Sequence, residues 1–279
     1  MFDFPTAPAV DDEYTSGGAT YKWNGYGWTV SIPPVVDEWL PAGQCQLTGG
    51  GTSTIVLQPY GGDQLTIDGA RRTVVAGAAT LPTGVFLYDT LYYIYAFWTG
   101  TAIQLENSTT GHSTGPGGVE IKTGDPTRSL VGMAYLVDLQ ISFGRCLVRS
   151  WFNDPGAAAY IGMPTSVVVS IPEYELPGTQ IPVLIWAGEL YTLKSAAAVY
   201  GGAIGVMMKL VNTINKAGIG ETYSQQCTDV NYTCAIHATV LQHMTSDSFY
   251  VVAIVGGCNT AAGCTYNAAL LQIHLYGRG

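Results

Sequence analysis

Charged side chains are scarce in this sequence. Only 11% of its 279 residues are Asp, Glu, Lys or Arg, against roughly 25% in an average soluble domain. The net charge is −9, and the eleven basic residues are scattered, with Arg71-Arg72 as their single adjacent pair. Nucleic-acid binding requires clustered Lys and Arg that neutralise phosphates, so no nucleic-acid partner is expected. A surface this poor in charge stays soluble through hydroxyl and amide groups, or is covered in an assembly.

Long apolar stretches are lacking as well. No run of about eighteen apolar residues occurs, which leaves no candidate for a membrane-spanning helix. The first residues, MFDFPTAPAVDDEY, contain neither the basic nor the apolar segment of a secretory signal peptide. We therefore expect no membrane partner and no signal peptide.

No set of residues recognisable as a catalytic site is apparent either. The four histidines lie in different local settings, which leaves a nucleophile triad without an anchor. His112 lies in TTGHSTGPGG, a composition typical of an exposed loop. Glu173 and Glu175 would share one face of a strand, and we interpret them as solvated acids rather than as the carboxylate pair of a glycosidase. No catalytic residue, metal or cofactor is therefore predicted.

The cysteines are present in a pattern that suggests disulfides. They are Cys45, Cys146, Cys227, Cys234, Cys258 and Cys264. The spacing within the last four is longer than in most zinc sites, so local disulfides Cys227–Cys234 and Cys258–Cys264 are predicted, with the crossed pairings as the alternative. Cys45 and Cys146 could pair, join neighbouring subunits or remain reduced in the core. Disulfides persist in oxidising surroundings, which a chain without a secretion signal would meet after cell lysis, as a virus particle does.

Short strands dominate the predicted secondary structure. Segments rich in β-branched residues recur every eight to twelve residues with Gly, Pro, Asp and Thr between them, which indicates an all-β sandwich or barrel. The segment LYYIYAFW (91–98) is apolar on both faces, as a strand buried on both sides would be. The segment IGVMMKLVNTINKAG (204–218) fits a helix or a strand, and its glycines favour the strand.

Four modules are predicted along the chain. They are an N-terminal β-hairpin (1–30), a Pro-rich linker (31–43), a middle β-sandwich or barrel (44–155) and a C-terminal jelly-roll-like β-sandwich (156–279). In the first module, Asn24-Gly25 is a two-residue hairpin signal that would place Trp23 and Trp28 near each other. A lone hairpin is marginally stable in water, so this one is expected to pack on something larger.

The N-terminal segment resembles an element found at the start of many tailed-bacteriophage virion proteins. That element has the pattern FP-x-x-P followed by G-x-x-Y-x-x-G-G-x-x-Y-x-W-N-G-x-x-W. The residues at its positions are Phe4, Pro5, Pro8, Tyr14, Gly17, Gly18, Tyr21, Trp23, Asn24, Gly25 and Trp28.

A second stretch, from LYYIYAFW to RSWFN, is similar to a domain of the same kind of protein. Its signature is an aromatic strand, an S-T-T-x-H strand exit, a G-V-x-I-K-x-G-D-x-T-R-x-L-V-G hairpin and a closing S-W-F-N. The matching residues are Gly118, Val119, Lys122, Gly124, Asp125, Thr127, Arg128, Leu130, Gly132, Arg149, Ser150, Trp151, Phe152 and Asn153.

These resemblances imply a bacteriophage structural protein located in the virion. It would be a homotrimeric spike, fibre or decoration subunit on head, collar or tail, bound to other virion proteins. Its virion-docking residues would be Tyr14, Tyr21, Trp23 and Trp28, and the resemblance supplies no catalytic residue. Two alternatives remain open at this stage, a host-receptor protein that binds surface glycans and a glycan depolymerase.

Overall fold

The computed structural model describes most of the chain in ten ranges. These are residues 5–16, 19–30, 43–49, 54–136, 146–169, 174–200, 206–212, 223–225, 233–258 and 264–276. The predicted linker 31–43 lies outside them except for Gly43, and so does Cys227. The chain divides into two compact units, Met1–Pro41 and Ala42–Gly279; the finer division into four modules stays a prediction.

The first unit contains a three-stranded antiparallel sheet. Its strands, in spatial order, are β1 (Glu13–Ser16), β2 (Ala19–Trp23) and β3 (Trp28–Val30). The predicted hairpin is β2–β3, with Trp23 opposite Trp28, but its loop has four residues rather than two. The Asn24 side chain closes this loop by accepting hydrogen bonds from the N–H groups of Tyr26 and Gly27, each at 2.9 Å. Strand β1 was not predicted from the sequence.

The second unit begins with three sheets. Their strands are β4 (Cys45–Gly49), β5 (Thr54–Pro59), β6 (Gln64–Ile67), β7 (Ala70–Thr73), β8 (Ala79–Pro82), β9 (Leu91–Trp98), β10 (Ile103–Ser108), β11 (His112–Thr114), β12 (Glu120–Lys122), β13 (Asp125–Leu136) and β14 (Cys146–Ser150). One sheet has the order β4-β5-β8, a second is the pair β6-β7, and the largest has the order β10-β9-β13-β12-β11. In that sheet β14 also pairs with β13, from Gly132 to Leu136.

Two sheets with a common core complete the second unit. Their strands are β15 (Ala157–Gly162), β16 (Val167–Val169), β17 (Tyr174–Glu175), β18 (Ile181–Ile185), β19 (Leu190–Tyr200), β20 (Val206–Asn212), β21 (Tyr223–Gln225), β22 (Thr233–His243), β23 (Ser248–Cys258) and β24 (Cys264–Leu275). One sheet has the order β15-β24-β19-β22 with β16 beside β24, and the other has the order β17-β23-β20-β21 with β18 beside β23. Leu193 and Ile273 of the first sheet pack in one cluster with Val252 and Ile254 of the second, so the two sheets form a sandwich.

The all-β fold predicted from the sequence is confirmed. The ambiguous segment contains strand β20, and the described residues contain no α-helix, only the 3-10 turns Thr83–Val85 and Pro116–Gly118. Within the same ranges, no helix has the length and apolar character needed to cross a bilayer. Strand β9 is buried on both sides, as predicted: Ile94 lies in the core shared with β4, β5 and β8, whereas Tyr95 lies in a separate cluster with Trp186.

Gly132 provides a test of packing between β13 and its neighbours. A Cβ at this position would lie 2.4 Å from the Arg149 carbonyl oxygen and 2.4 Å from Leu47 Cδ2. The carbonyl belongs to the paired strand β14 and has little freedom to move. Gly132→Ala is therefore expected to lower the free energy of unfolding by about 1–3 kcal/mol, measured by urea unfolding.

The matched control for this test is Gly84→Ala, because a Cβ at Gly84 meets no atom within 4 Å. An equal loss of stability in both variants would contradict the steric explanation.

Candidate functional site

The sheet of the first unit carries its aromatic residues on one face. Side chains alternate between the two faces of a strand, and the register places Tyr14 opposite Tyr21 and Trp23 opposite Trp28. The ring centroids of Trp23 and Trp28 are 5.6 Å apart, and those of Tyr14 and Trp28 are 6.1 Å apart. The structure thus brings together the four residues predicted to dock onto a virion partner, each partly exposed. The docking role itself stays a prediction.

The opposite face of this sheet is polar. Lys22 on β2 is paired in register with Glu13 and Thr29, and its ammonium lies 3.0 Å from Asp11. Next to them, the hydroxyls of Thr15 and Thr20 are 3.0 Å apart. The sheet therefore has one aromatic and one polar face.

The second unit has two groups of sheets, the three formed by β4–β14 and the two formed by β15–β24. A buried arginine lies at the junction between these groups. The Arg149 side chain, on β14, is 7% exposed. Its Nε donates to Asp154 Oδ2 at 2.7 Å, its Nη2 donates to Glu189 Oε1 at 2.6 Å, and its Nη1 donates to the carbonyl of Leu184 at 2.7 Å. Glu189 Oε2 also accepts from the Trp186 N–H at 3.0 Å. We call these four groups, Arg149, Asp154, Glu189 and the Leu184 carbonyl, the arginine clamp.

Two tryptophans pack beside the arginine clamp. Trp186 is fully buried, and its Nε1 donates to the carbonyl of Ser150 at 3.2 Å. The rings of Trp151 and Trp186 pack edge to face, with centroids 5.0 Å apart. Since Trp151 follows β14 and Trp186 follows β18, this contact also joins the two groups of sheets.

His112 links the same two groups of sheets through a pair of carboxylates. Its Nδ1 lies 2.6 Å from Glu120 Oε2 and its Nε2 lies 2.9 Å from Asp247 Oδ2. Asp247 Oδ1 accepts from the Ala187 N–H at 2.7 Å, and the imidazole packs 5.1 Å from the Trp151 ring. The expectation of an exposed loop histidine is wrong: the side chain is 17% exposed, because β11 pairs with β12 and the C-terminal sheets cover it.

The charge state of His112 follows from these contacts. Ionised carboxylates only accept hydrogen bonds, so an imidazole between two of them is best satisfied when both of its nitrogens donate. Burial lowers the pKa of His112, but the hydrogen bonds to Asp247 and Glu120 outweigh burial and raise it above its usual value. For Asp247, burial raises the pKa, while the hydrogen bonds from His112 and the Ala187 N–H outweigh it and hold the pKa below its usual value.

This network predicts a pH-dependent contribution to stability. A histidine whose pKa is higher in the folded than in the unfolded state stabilises the fold when it is protonated. This stabilisation is complete below the unfolded-state pKa of 6.5 and is lost as the pH rises through the folded-state pKa. An aspartate whose pKa is lower in the folded than in the unfolded state stabilises the fold when it is ionised. This stabilisation is complete above the unfolded-state pKa of 3.8 and is lost as the pH falls through the folded-state pKa. The stability difference between the native chain and His112→Gln is therefore expected to be largest between about pH 4 and 6.5 and to shrink toward alkaline pH.

Thermal unfolding of both proteins across this pH range measures the difference. His274→Gln is the control, since His274 lies on β24 and is exposed. A difference for His112→Gln that stays constant or grows with rising pH would contradict the assignment.

The clamp and the histidine network are suited to holding strands together. Both carboxylates of the clamp bind Arg149, and a buried ion pair with satisfied hydrogen bonds is costly to break. Of the two acids considered from the sequence, Glu175 accepts a hydrogen bond from Gln180, and Glu173 lies outside the described residues. In the part of the chain that the structure describes, no group of three or more His, Cys, Asp or Glu is placed to hold a metal ion.

The cysteines fall into three cases. Cys45 is a free, buried thiol whose pKa is raised by burial to about 12, which matches one of the three possibilities left open for it. Cys264 is disulfide-bonded, and the other side chains, Cys146, Cys234 and Cys258, are outside the described set. Strand β19 pairs with both β22 and β24, so Cys234 and Cys264 are separated by two strand spacings, roughly 9–10 Å. A disulfide does not span that distance, so Cys234 is not the partner of Cys264, and the predicted pairing stays a prediction.

Comparisons with known proteins give only weak likenesses. No protein-family model and no curated protein matches the sequence. The alignment with the structure of infectious bursal disease virus, Gx strain, covers 97% of this chain and 67% of the viral chain, at 11% identity and a TM-score of 0.31. The insecticidal delta-endotoxin Cry8Ea1 of Bacillus thuringiensis covers 85% of this chain and 52% of its own, at 9% identity and a TM-score of 0.26.

Dimeric latent PorU of Porphyromonas gingivalis covers 42% of this chain and 13% of its own, at 11% identity and a TM-score of 0.23. The chain thus spans less than two thirds of the toxin and of PorU. A virus particle protein and a toxin are among its structural neighbours, and at these TM-scores the likenesses carry no argument about function.

Proposed function

We propose that this chain is a structural subunit of a bacteriophage particle, attached to the particle through the aromatic face of its N-terminal sheet. The observation that supports this most directly is the separate first unit, whose sheet gathers Tyr14, Tyr21, Trp23 and Trp28 on one face. Tyr and Trp are enriched in protein interfaces, because they bury a large apolar area while keeping a polar group available.

The two sequence resemblances to phage virion proteins point to the same role. Residues of the second resemblance, including Arg149, Ser150 and Trp151, are also those that join the two groups of sheets. They support a stable body, and the proposal assigns them no catalytic step. The chain would act as a spike, fibre or decoration subunit on head, collar or tail, and it would not be an enzyme. Local disulfides formed after lysis belong to the same proposal.

The docking role is tested by substitutions on the two faces of the N-terminal sheet. Trp23→Ala with Trp28→Ala removes the aromatic pair, and Lys22→Ala with Thr29→Ala removes polar groups from the opposite face of the same strands. Particles are assembled with each variant as the sole copy of this chain, then purified and assayed for the chain by immunoblotting. The aromatic variant is expected to be lost from particles, and the polar variant is expected to be retained.

Deletion of residues 1–30 extends this test. The second unit is compact by itself, so the truncated protein is expected to keep the thermal unfolding of the full chain's main transition while failing to enter particles. Normal incorporation of either the truncated chain or the aromatic variant would refute the docking role.

A homotrimer is the expected oligomeric state. The described surface of the second unit carries several exposed large apolar side chains, for example Tyr160 and Val168, which are 79% and 68% exposed. Closed symmetry would cover such surface. Sedimentation equilibrium of the 29.6 kDa chain is expected to give about three times that mass, and a stable monomer at micromolar concentration would contradict the proposal.

A further inference from the structure

A groove at one end of the largest sheet lies beside the only adjacent basic pair in the sequence. It is bordered by Arg71, Arg72 and Thr73 of β7, by Trp98 at the end of β9 and by Thr101 in the following turn. Its volume is about 350 Å³. This volume falls in the lower part of the range of small-molecule sites, about 300–1,000 Å³.

Arg71 and Arg72 are the two cations of this groove, and no acid among the described residues pairs with the Arg72 guanidinium. Its Cζ lies over the Trp98 ring at 4.6 Å from the centroid. Its Nε is fully buried and makes no hydrogen bond, and no ion pair with Arg72 occurs among the described residues. A buried donor without an acceptor is unfavourable, and it is unexpected in a chain with 20 acidic and only 11 basic residues.

Phe97, which precedes Trp98 on β9, also packs against an arginine, and that arginine binds a carboxylate. Arg128 lies over the Phe97 ring at 4.3 Å, its Nε donates to Glu106 Oε2 at 2.9 Å and its Nη1 donates to Thr127 at 2.7 Å. Neighbouring residues of a strand project to opposite faces, so the two arginine–aromatic pairs lie on either side of the sheet. One includes a carboxylate, and the other borders a groove.

From this contrast we propose that the groove binds a small ligand through a carboxylate or phosphate group, which pairs with the terminal Nη1 and Nη2 groups of Arg72. The planar guanidinium, held on an indole ring, presents its N–H groups in the fork that binds such oxyanions with two parallel hydrogen bonds. Thr73 and Thr101 are both exposed, and their hydroxyls suit a ligand that is polar beyond its anionic group. This site is independent of the docking role proposed above.

Isothermal titration calorimetry at low salt tests the site with three probes. These are inorganic phosphate, D-galacturonate as a carboxylate-bearing sugar, and D-galactose as its neutral counterpart. Saturable binding at millimolar concentration is expected for phosphate, galacturonate or both, and not for galactose. Binding of phosphate alone identifies a phosphate ligand, and binding of galacturonate alone identifies a carboxylate ligand. Absence of binding for both anions, or equal binding of galactose and galacturonate, overturns the proposal.

Variants assign the binding to Arg72. Arg72→Gln is expected to weaken anion binding about tenfold or more, and Arg72→Lys is expected to bind with intermediate affinity because it keeps the charge but loses the fork. Lys22→Gln makes the same charge change in the first unit and is expected to bind as the native chain does. Unfolding temperatures identify any variant that is misfolded. An Arg72→Gln protein that is folded and binds the anion unchanged, or a matching loss in Lys22→Gln, overturns the assignment.

Discussion

The buried guanidinium of Arg149 is the constraint on which the second unit depends. A charge removed from water is tolerated only when it is paired and hydrogen-bonded, and here Asp154, Glu189 and the Leu184 carbonyl satisfy it from three directions. These acceptors lie on segments up to 40 residues away in the sequence. The position of β14 therefore fixes the end of β18 and the start of β19, and removal of the Arg149 guanidinium would leave the buried carboxylates of Asp154 and Glu189 without a counter-ion.

Around this constraint, polar and aromatic contacts act together. His112 binds carboxylates from both groups of sheets, Trp151 and Trp186 pack edge to face, and Tyr135 stacks on Phe249 with centroids 3.7 Å apart. Purely apolar surfaces can slide over one another with little loss of contact, whereas these hydrogen bonds and ion pairs require one relative position. The junction is specific for this reason, and part of its stability depends on the protonation of His112.

Local sequence patterns predicted the strands much better than they predicted the contacts at the junction between the two groups of sheets. Alternation and β-branched residues indicated the all-β fold, and the two-sided apolar pattern of LYYIYAFW indicated the burial of β9. In contrast, Arg149 appeared only as a motif residue and His112 as part of a loop. Their partners, Glu189 and Asp247, lie 40 and 135 residues away. No periodicity within a short window carries information about contacts over such distances, so those side chains could be assigned only from the fold.

The two units differ in how they bury apolar surface. In the second unit, paired sheets enclose their own cores, and Arg149 and His112 bind carboxylates across the junction between the two groups of sheets. In the first, three short strands place Tyr14, Tyr21, Trp23 and Trp28 on one face and polar residues on the other, so aromatic area remains partly exposed. Three strands with one apolar face gain most of their stability when that face packs against another surface. A unit with this composition is therefore better suited to attachment than to enclosing a site of its own.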